Sequence, residues 1–131
     1  MTSVKLTLPS GKEYTQPTGL FINNQFIKAK SGKSFDAINP ATSKVICSVE
    51  EAGEEDVDVA VEAARTAFEG EWAEITPVER GKLLIKFAEL IEEERELLAA
   101  VESMNGGKVY SSLSFWFLFG NLSLAFLDGE K

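Results

Sequence analysis

The sequence predicts an α+β chain, in which antiparallel β-hairpins are followed by two or three helices. Between residues 20 and 49, short β-prone runs alternate with turn residues, which is typical of hairpins. From Glu54 onward the apolar residues recur every three or four positions, which is the period of an amphipathic helix. A chain of 131 residues has room for one small domain and not for two of ordinary size.

The first predicted hairpin follows a polar N-terminal segment. Residues 1–19 contain Pro and Gly at several positions and are expected to form an arm that adds at most an edge strand and has no core of its own. Two β-prone runs then flank Asn23 and Asn24. Asn tolerates the positive φ that a two-residue hairpin turn requires, so residues 20–27 are predicted to form a hairpin.

Two further turns predict two more strands. The Lys-Ser-Gly-Lys sequence at 30–33 precedes a β-prone run at 34–38, and the Asn-Pro-Ala-Thr sequence at 39–42 leads into a second run at 45–49. Together with the first hairpin, these strands are predicted to form a small antiparallel meander.

The first predicted helix begins near Glu54. Its apolar side chains form one continuous stripe at helical spacing: Val57, Ala60, Val61, Ala64 and Phe68. Acidic residues lie at its start, where they suit the positive end of the helix dipole. Gly70 is predicted to end it, and a short linker that contains Trp72 follows.

The next helix has three agreeing start signals. Thr76 can cap the helix, Pro77 suits its first position and Glu79 can close a capping box. Charged residues at 92–96 interrupt the apolar stripe, which predicts a kink or a break near 93–96. Gly106 and Gly107 are predicted to end this helical region.

Composition and charge exclude several classes of function. The net charge is −8, and a protein that neutralises phosphates needs clustered Lys and Arg, so neither a nucleic acid nor an anionic membrane is expected as partner. The first 48 residues carry a net positive charge and residues 49–108 a net negative one, which is interpreted as two solvated faces.

The residues that usually carry chemistry are scarce. The chain has no His, which removes the commonest general base and the commonest zinc ligand. Cys47 lies in a predicted strand and is expected to act as a small hydrophobe rather than as a reactive thiolate. No Gly-x-Gly-x-x-Gly motif occurs, and the Gly-Gly-Lys at 106–108 lacks the other residues of a phosphate-binding loop, since Glu102 and Val109 occupy their positions.

Five segments in fixed order resemble the opening of the NAD(P)-dependent aldehyde dehydrogenases, in particular the fungal type. They are GLFINNQF (19–26), FDAINPAT (35–42), DVDVAVEAARTAF (56–68), RGKLL (80–84) and ESMNGGK (102–108). The resemblance covers about residues 17–108. It implies an α/β fold, of which this segment is the outer N-terminal part of the cofactor-binding domain, where it braces the Rossmann sheet.

The resemblance also implies an activity. Family members oxidise aldehydes to carboxylic acids with NAD(P)+ through a cysteine thiohemiacetal, and a glutamate helps to hydrolyse the thioester. Their nucleophile, glutamate and cofactor contacts lie beyond this segment, and Cys47 does not match the catalytic cysteine. No catalytic, cofactor-binding or metal site is therefore expected in this chain, and it is predicted to be inactive by itself. Some members hold a structural monovalent cation partly through an acid before the Gly-Lys, but Asn105 replaces that acid here.

The predicted division is an arm at 1–19, a truncated aldehyde dehydrogenase N-terminal domain at 20–108, and a tail at 109–131 that is unrelated to the family. Residues 109–127 carry no charged side chain and are rich in aromatic residues. Three interpretations of this tail remain open. The first interpretation is a translated intron, since splice donors begin with GT and codons that begin with GT include those for Val, the residue at position 109.

The second interpretation is a membrane anchor, because residues 109–127 as a helix would span about 28 Å, close to the hydrocarbon thickness of a bilayer. Interspersed polar residues and the acidic flanks Asp128 and Glu130 oppose it. The third is a segment that covers exposed helices or pairs with a partner such as a full-length homologous subunit. Without such cover, the chain is expected to aggregate when alone.

Location is predicted from the cysteine content and the N-terminus. A single Cys forms no internal disulfide, which favours a reducing compartment. The N-terminus has neither the apolar core of a secretory signal nor the Arg content of a mitochondrial presequence. The cytoplasm is expected, with a mitochondrial location by family or a membrane location through the tail as the alternatives.

Overall fold

The computed structural model describes residues 2–113, and its elements follow the predicted order of strands and then helices. The strands are β1 (Ser3–Thr7), β2 (Glu13–Pro17), β3 (Leu20–Ile22), β4 (Gln25–Ile27), β5 (Ser34–Asn39) and β6 (Lys44–Glu50). The helices are α1 (Glu54–Glu69), α2 (Glu71–Glu74), α3 (Pro77–Glu93) and α4 (Arg95–Gly106). The predicted α+β content, with hairpins before helices, is confirmed. The chain divides into two compact units with the boundary between Glu74 and Ile75.

The strands form separate hairpins and not the predicted meander. Within residues 2–113, β1 pairs with β2, β3 with β4 and β5 with β6, each antiparallel, in three two-stranded sheets. The meander prediction is wrong because the described hairpins do not pair with one another in ladders. The Glu50 N–H at the end of β6 donates to the carbonyl of Thr18, between β2 and β3, at 2.9 Å, whereas the bond from the Thr18 N–H to the Thr2 carbonyl only extends the β1–β2 pairing.

The N-terminal segment is more ordered than the arm that the sequence predicts. Its two strands form a complete hairpin, with Ser3 paired to Pro17 and Thr7 to Glu13. The turn closes through a hydrogen bond from the Gly11 N–H to the Leu8 carbonyl at 2.8 Å. Leu8 is buried, so this segment contributes a side chain to the small core of the first unit.

The predicted turns of the other two hairpins are confirmed. Asn23 and Asn24 have φ of 50° and 59°, so both central residues of the β3–β4 turn lie in the left-handed region that Asn tolerates. At the β5–β6 turn, the Asn39 side-chain oxygen accepts a hydrogen bond from the Ala41 N–H at 2.9 Å. A bulge between Ala37 and Ile38 shifts the β5–β6 register near that turn.

The helix boundaries also agree with the sequence, with one addition. α1 ends before Gly70 as predicted, but the linker that contains Trp72 is itself the short helix α2. The predicted break near 93–96 occurs at Glu94, which separates α3 from α4. Gly107, with φ of 70°, caps the end of α4 in the left-handed conformation that glycine adopts without strain.

The capping box of α3 forms as predicted. The Thr76 hydroxyl oxygen accepts from the Glu79 N–H at 3.3 Å, and the Glu79 carboxylate accepts from the Thr76 N–H at 2.9 Å. This backbone N–H, and then the Thr76 hydroxyl, hold the pKa of Glu79 below its usual range. The box fixes the first turn of the helix.

Replacing Thr76 with Ala is expected to destabilise the chain by about 1 kcal/mol, because one N–H of the first helical turn loses its acceptor. Urea unfolding monitored by circular dichroism measures the change. Thr76→Ser retains the hydroxyl and is the matched control, with stability near that of the unmodified chain. Equal destabilisation by Ala and Ser would show that the hydroxyl bond does not matter.

The large apolar side chains are mostly exposed. Among residues 2–113, the buried apolar residues are Leu8, Ala29, Ala88, Ala99 and Leu113. By contrast, large apolar side chains on α1 and α3 face solvent, among them Val57, Val61, Phe68, Leu84 and Phe87. The part of the chain that the structure describes therefore buries little of its own apolar surface.

Within 2–113, no helix combines the length and the apolarity that crossing a bilayer requires. The predicted tail at 109–131 lies mainly outside the described residues, which end at 113. Its three interpretations therefore stay predictions.

Candidate functional site

The most deeply placed charged side chain is Asp56, in the first turn of α1. Among the residues that the structure describes, Asp56 is the one charged residue that is buried, with 2% of its surface exposed. One carboxylate oxygen accepts from the Gly53 N–H at 2.9 Å, and the other accepts from the Lys30 N–H at 3.0 Å. Asp56 therefore joins the start of α1 to the loop between β4 and β5.

A second carboxylate holds the same loop. Glu50, at the end of β6, accepts from the Ala29 N–H at 2.9 Å. Ala29 is itself buried. Because neighbouring N–H groups of the loop are held by carboxylates from two different elements, the loop position is fixed relative to both β6 and α1.

Hydrogen bonding controls the ionisation of Asp56. The Gly53 N–H, and then the Lys30 N–H, lower the pKa of this carboxyl below its ordinary 3.8, and the nearby Lys30 charge adds a smaller effect in the same direction. Burial opposes these contributions. The ionised form is the one that the site stabilises. An ion pair between the Lys30 Nζ and Glu55, at 3.6 Å, is exposed and adds little.

An open cavity of ≈ 310 Å³ lies at this junction. Its lining residues are Lys30, Ser31, Gly53, Glu54, Glu55 and Asp56. Three carboxylates make it unsuited to a phosphate or another anion. Asp56 is already engaged by two N–H groups, and no residue of the lining is a nucleophile paired with a base. The arrangement positions the loop and offers no chemistry of its own.

Cys47, the chain's one thiol, lies in β6 and is half-buried. Burial, and then the negative charge of Asp36, raise its pKa above the ordinary value. A raised pKa reduces the thiolate fraction at neutral pH, so the surroundings do not activate this sulfur. The same effect, with burial as the larger cause and Cys47 as the smaller, raises the pKa of Tyr14.

The Gly-Gly-Lys segment and Asn105 have structural positions at the end of α4. Gly107 of the Gly-Gly-Lys segment caps α4, and the Ser103 hydroxyl donates to the Lys108 carbonyl at 2.7 Å. Asn105 is exposed in the last turn of that helix. Across residues 2–113, no three His, Cys, Asp or Glu side chains lie close enough together to hold a metal ion.

Sequence reasoning missed the junction. It placed Asp56 among the acids that suit a helix N-terminus, without distinguishing it from its exposed neighbours Glu54 and Glu55. The available signal was the spacing of Gly53 and Asp56, since an acid three residues after the N-cap is the acceptor of a capping box. Nothing local in sequence indicates the role of Glu50, because its partner lies 21 residues away.

Comparison with known proteins identifies the family. The model of the aldehyde dehydrogenase family matches residues 26–116. An aldehyde dehydrogenase of Alternaria alternata is 60% identical over 111 residues, which are 85% of this chain and 22% of the relative. Human aldehyde dehydrogenase 1A1 is 54% identical over 99 residues, which are 74% of this chain and 20% of the relative.

Solved structures agree with the sequence relatives. The NAD+ complex of an aldehyde dehydrogenase from Bacillus cereus is similar with a TM-score of 0.70 and 52% identity, over 73% of this chain and 20% of that one. An NAD-dependent aldehyde dehydrogenase from Sinorhizobium meliloti gives a TM-score of 0.79 and 31% identity, over 86% of this chain and 23% of that one.

These matches confirm the resemblance and the fold class that it implies. The chain spans about a fifth of the length of the relatives that it matches. The described elements match a part of those longer proteins. By sequence and by structure, the chain belongs to the aldehyde dehydrogenase family.

Proposed function

We propose that this chain is the N-terminal segment of an aldehyde dehydrogenase subunit and has no catalytic activity of its own. The complete subunit would be an oxidoreductase that oxidises aldehydes to carboxylic acids with NAD(P)+ through a cysteine thiohemiacetal. The observation that carries the second part is the state of Cys47. The chain has one thiol and no His, and burial and Asp36 raise the pKa of that thiol, where a nucleophile needs the opposite shift.

The cofactor of the proposed enzyme would be bound by the remainder of the subunit. The similar Bacillus cereus protein was solved with NAD+, which supports NAD or NADP as the cofactor of the whole enzyme. No catalytic, cofactor-binding or metal residue is proposed in this chain. The proposed division remains an arm at 1–19, the aldehyde dehydrogenase segment at 20–108 and a separate tail at 109–131.

Full-length homologous subunits are the proposed partners, and the cytoplasm is the proposed location. The exposed apolar side chains of α1 and α3 support an association of this kind, because removing apolar surface from water lowers the free energy. A cytosolic aldehyde dehydrogenase of Elephantulus edwardii, 54% identical over 99 residues, supports the location. The same exposed surface supports the proposal that the chain aggregates when it is alone.

An aldehyde oxidation assay tests the proposed lack of activity. Purified 1–131, incubated with short-chain and aromatic aldehydes and with NAD+ or NADP+ in turn, is expected to produce no NAD(P)H above the blank. A full-length relative assayed in parallel shows that the conditions support turnover. Saturable turnover by 1–131 that disappears in the Cys47→Ser variant would overturn the proposal.

A further inference from the structure

Three large apolar side chains form an exposed row on α3. Leu83, Phe87 and Leu90 have 50%, 56% and 47% of their surface exposed. They are spaced by four and three positions, so they lie on one side of the helix, and the row extends for about 10 Å at the rise of an α-helix. The adjoining side of α3 packs inward, since Ala88 is buried there. These three residues, the α3 row, therefore form an apolar surface without cover.

The charged side chains that lie along one side of the row already have partners. The Lys86 Nζ forms an ion pair with Glu89 at 3.2 Å. The Glu79 carboxylate accepts from the Thr76 N–H at 2.9 Å in the capping box. A segment that covers the row therefore needs apolar side chains and no charge of its own.

The chain beyond α4 contains a segment of this composition. Residues 109–127 carry no charged side chain. The part of that run beyond the described residues, 114–127, is rich in large apolar side chains, namely Phe115, Trp116, Phe117, Leu118, Phe119, Leu122, Leu124, Phe126 and Leu127. The family match ends at residue 116, so residues 117–127 lie outside it.

The last described residue, Leu113, is already buried. It has 6% of its surface exposed. It ends a helical turn in which the Val109 carbonyl accepts from the N–H groups of Ser112 and Leu113, at 3.1 and 3.2 Å. The uncharged run therefore begins within the second unit, to which α3 also belongs. Burial of an apolar residue at its start favours a contact within the chain over a membrane anchor, whose apolar side chains face lipid.

We propose that residues 114–127 return to α3 and cover the α3 row. The reach is sufficient, because an extended chain advances about 3.3 Å per residue and five residues beyond Leu113 therefore span about 16 Å. Tethering gives the segment an effective concentration in about the millimolar range. A second copy has no such advantage, and its net charge of −8 opposes association.

The proposed contact is independent of the proposed enzyme function. Its covering segment lies mostly outside the family match, and it involves neither a cofactor nor an aldehyde. The exposed apolar side chains of α1 belong to the first unit and take no part in it.

Disulfide trapping tests the contact in the full chain. In a Cys47→Ser background, Phe87→Cys is combined in turn with a Cys substitution at Phe117, Phe119, Leu122 or Phe126. Each double variant is oxidised with oxidised glutathione in dilute solution. At least one pair is expected to form a disulfide within the chain, because cross-linking requires Cα atoms within about 7 Å of each other. Peptide mass spectrometry measures the rate.

Ile85→Cys is the matched control for Phe87→Cys. Ile85 lies on the same helix and is 42% exposed, but it points away from the row on a helical projection. At least one position in 114–127 is expected to cross-link to Phe87→Cys at least about five-fold faster than to Ile85→Cys, because docking raises the effective concentration at the row alone. Equal rates at the two helix positions, for every position of the segment, would overturn the proposal.

Two further measurements identify other occupants of the row. Disulfides that join two chains, at a rate that rises with protein concentration, would show a second copy and contradict the proposal. Flotation of 1–131 with phosphatidylcholine vesicles would show a membrane anchor and contradict it as well.

Fluorescence provides a readout without cross-linking. The chain has two Trp residues, so Trp72→Phe leaves Trp116 as the single probe of the segment. Phe87→Glu is expected to increase the quenching of Trp116 by acrylamide at least about two-fold, because a charge in the row releases the segment to water. Ile85→Glu is expected to leave the quenching unchanged. Circular dichroism establishes that both variants retain their helices, and equal quenching in the two would refute the contact.

Discussion

Asp56→Ala is expected to lower the melting temperature of the chain by about 5–10 °C at neutral pH. The carboxylate accepts from the Gly53 and Lys30 N–H groups, and Ala leaves both without an acceptor in a part-buried position. The effect is larger than that of a surface cap, because the same side chain also joins α1 to a loop 26 residues earlier in the chain. Melting monitored by circular dichroism measures the shift.

Asp58→Ala is the matched control for this substitution. Asp58 is the same residue type two positions further along α1 and is exposed, so its replacement is expected to change the melting temperature by less than about 2 °C. Similar shifts for the two variants would show that a general charge effect, and not the paired hydrogen bonds, carries the stabilisation.

The Asp56 effect has a defined dependence on pH. The folded-state pKa of this carboxyl is held below its ordinary 3.8, so its contribution to stability is present above that value and is lost as the pH falls through the folded pKa. The difference in melting temperature between the unmodified chain and Asp56→Ala is therefore constant near neutrality and shrinks below about pH 3.8. A difference that persists unchanged to the lowest accessible pH would exclude the ionised carboxylate as the source.

Gly19→Ala is expected to destabilise the first unit by about 1–3 kcal/mol through overpacking. A Cβ at this position would lie 2.6 Å from the Ile27 carbonyl oxygen and would also overlap the Thr2 hydroxyl. The hydroxyl can rotate away, but Ile27 pairs with Leu20 in the β3–β4 ladder and its backbone is not free to move. Urea unfolding measures the change.

Two variants isolate the cause of this effect. Gly53→Ala places a Cβ no closer than 3.8 Å to the Asp56 carboxylate, which is an ordinary contact, so it is expected to be close to neutral. Thr2→Ala combined with Gly19→Ala removes the overlap with the hydroxyl and is expected to restore only part of the stability, because the contact with the Ile27 backbone remains. Complete restoration would place the strain on Thr2 instead.

Local signals predicted most of the elements. The paired Asn residues at 23 and 24, the capping box at Thr76 and Glu79, and Gly107 act within a few residues of their own positions, so each could be recognised in sequence. The prediction of a meander was wrong, because the pairing of one hairpin with the next depends on backbone groups that are distant in sequence. The Thr18 carbonyl, for example, is engaged by the N–H of Glu50.

The candidate junction illustrates the same limit. The spacing between Gly53 and Asp56 is that of a capping box and is visible in the sequence. The second partner of the Asp56 carboxylate, Lys30, lies in a segment for which the sequence predicts only a turn. The exposure of the apolar side chains of α1 could not be predicted from the sequence pattern either. Periodicity predicts that apolar residues share one side of a helix, but it does not predict what covers that side.

The pairing of each strand with its immediate neighbour has a consequence for synthesis on the ribosome. Among the described strands, no paired residues are further apart in sequence than Ser34 and Glu50. Both strands of each hairpin are therefore available soon after they leave the exit tunnel. Contacts between residues that are close in sequence form quickly. The first unit can therefore fold while translation continues, at a stage when the apolar side chains of α1 are still exposed to solvent.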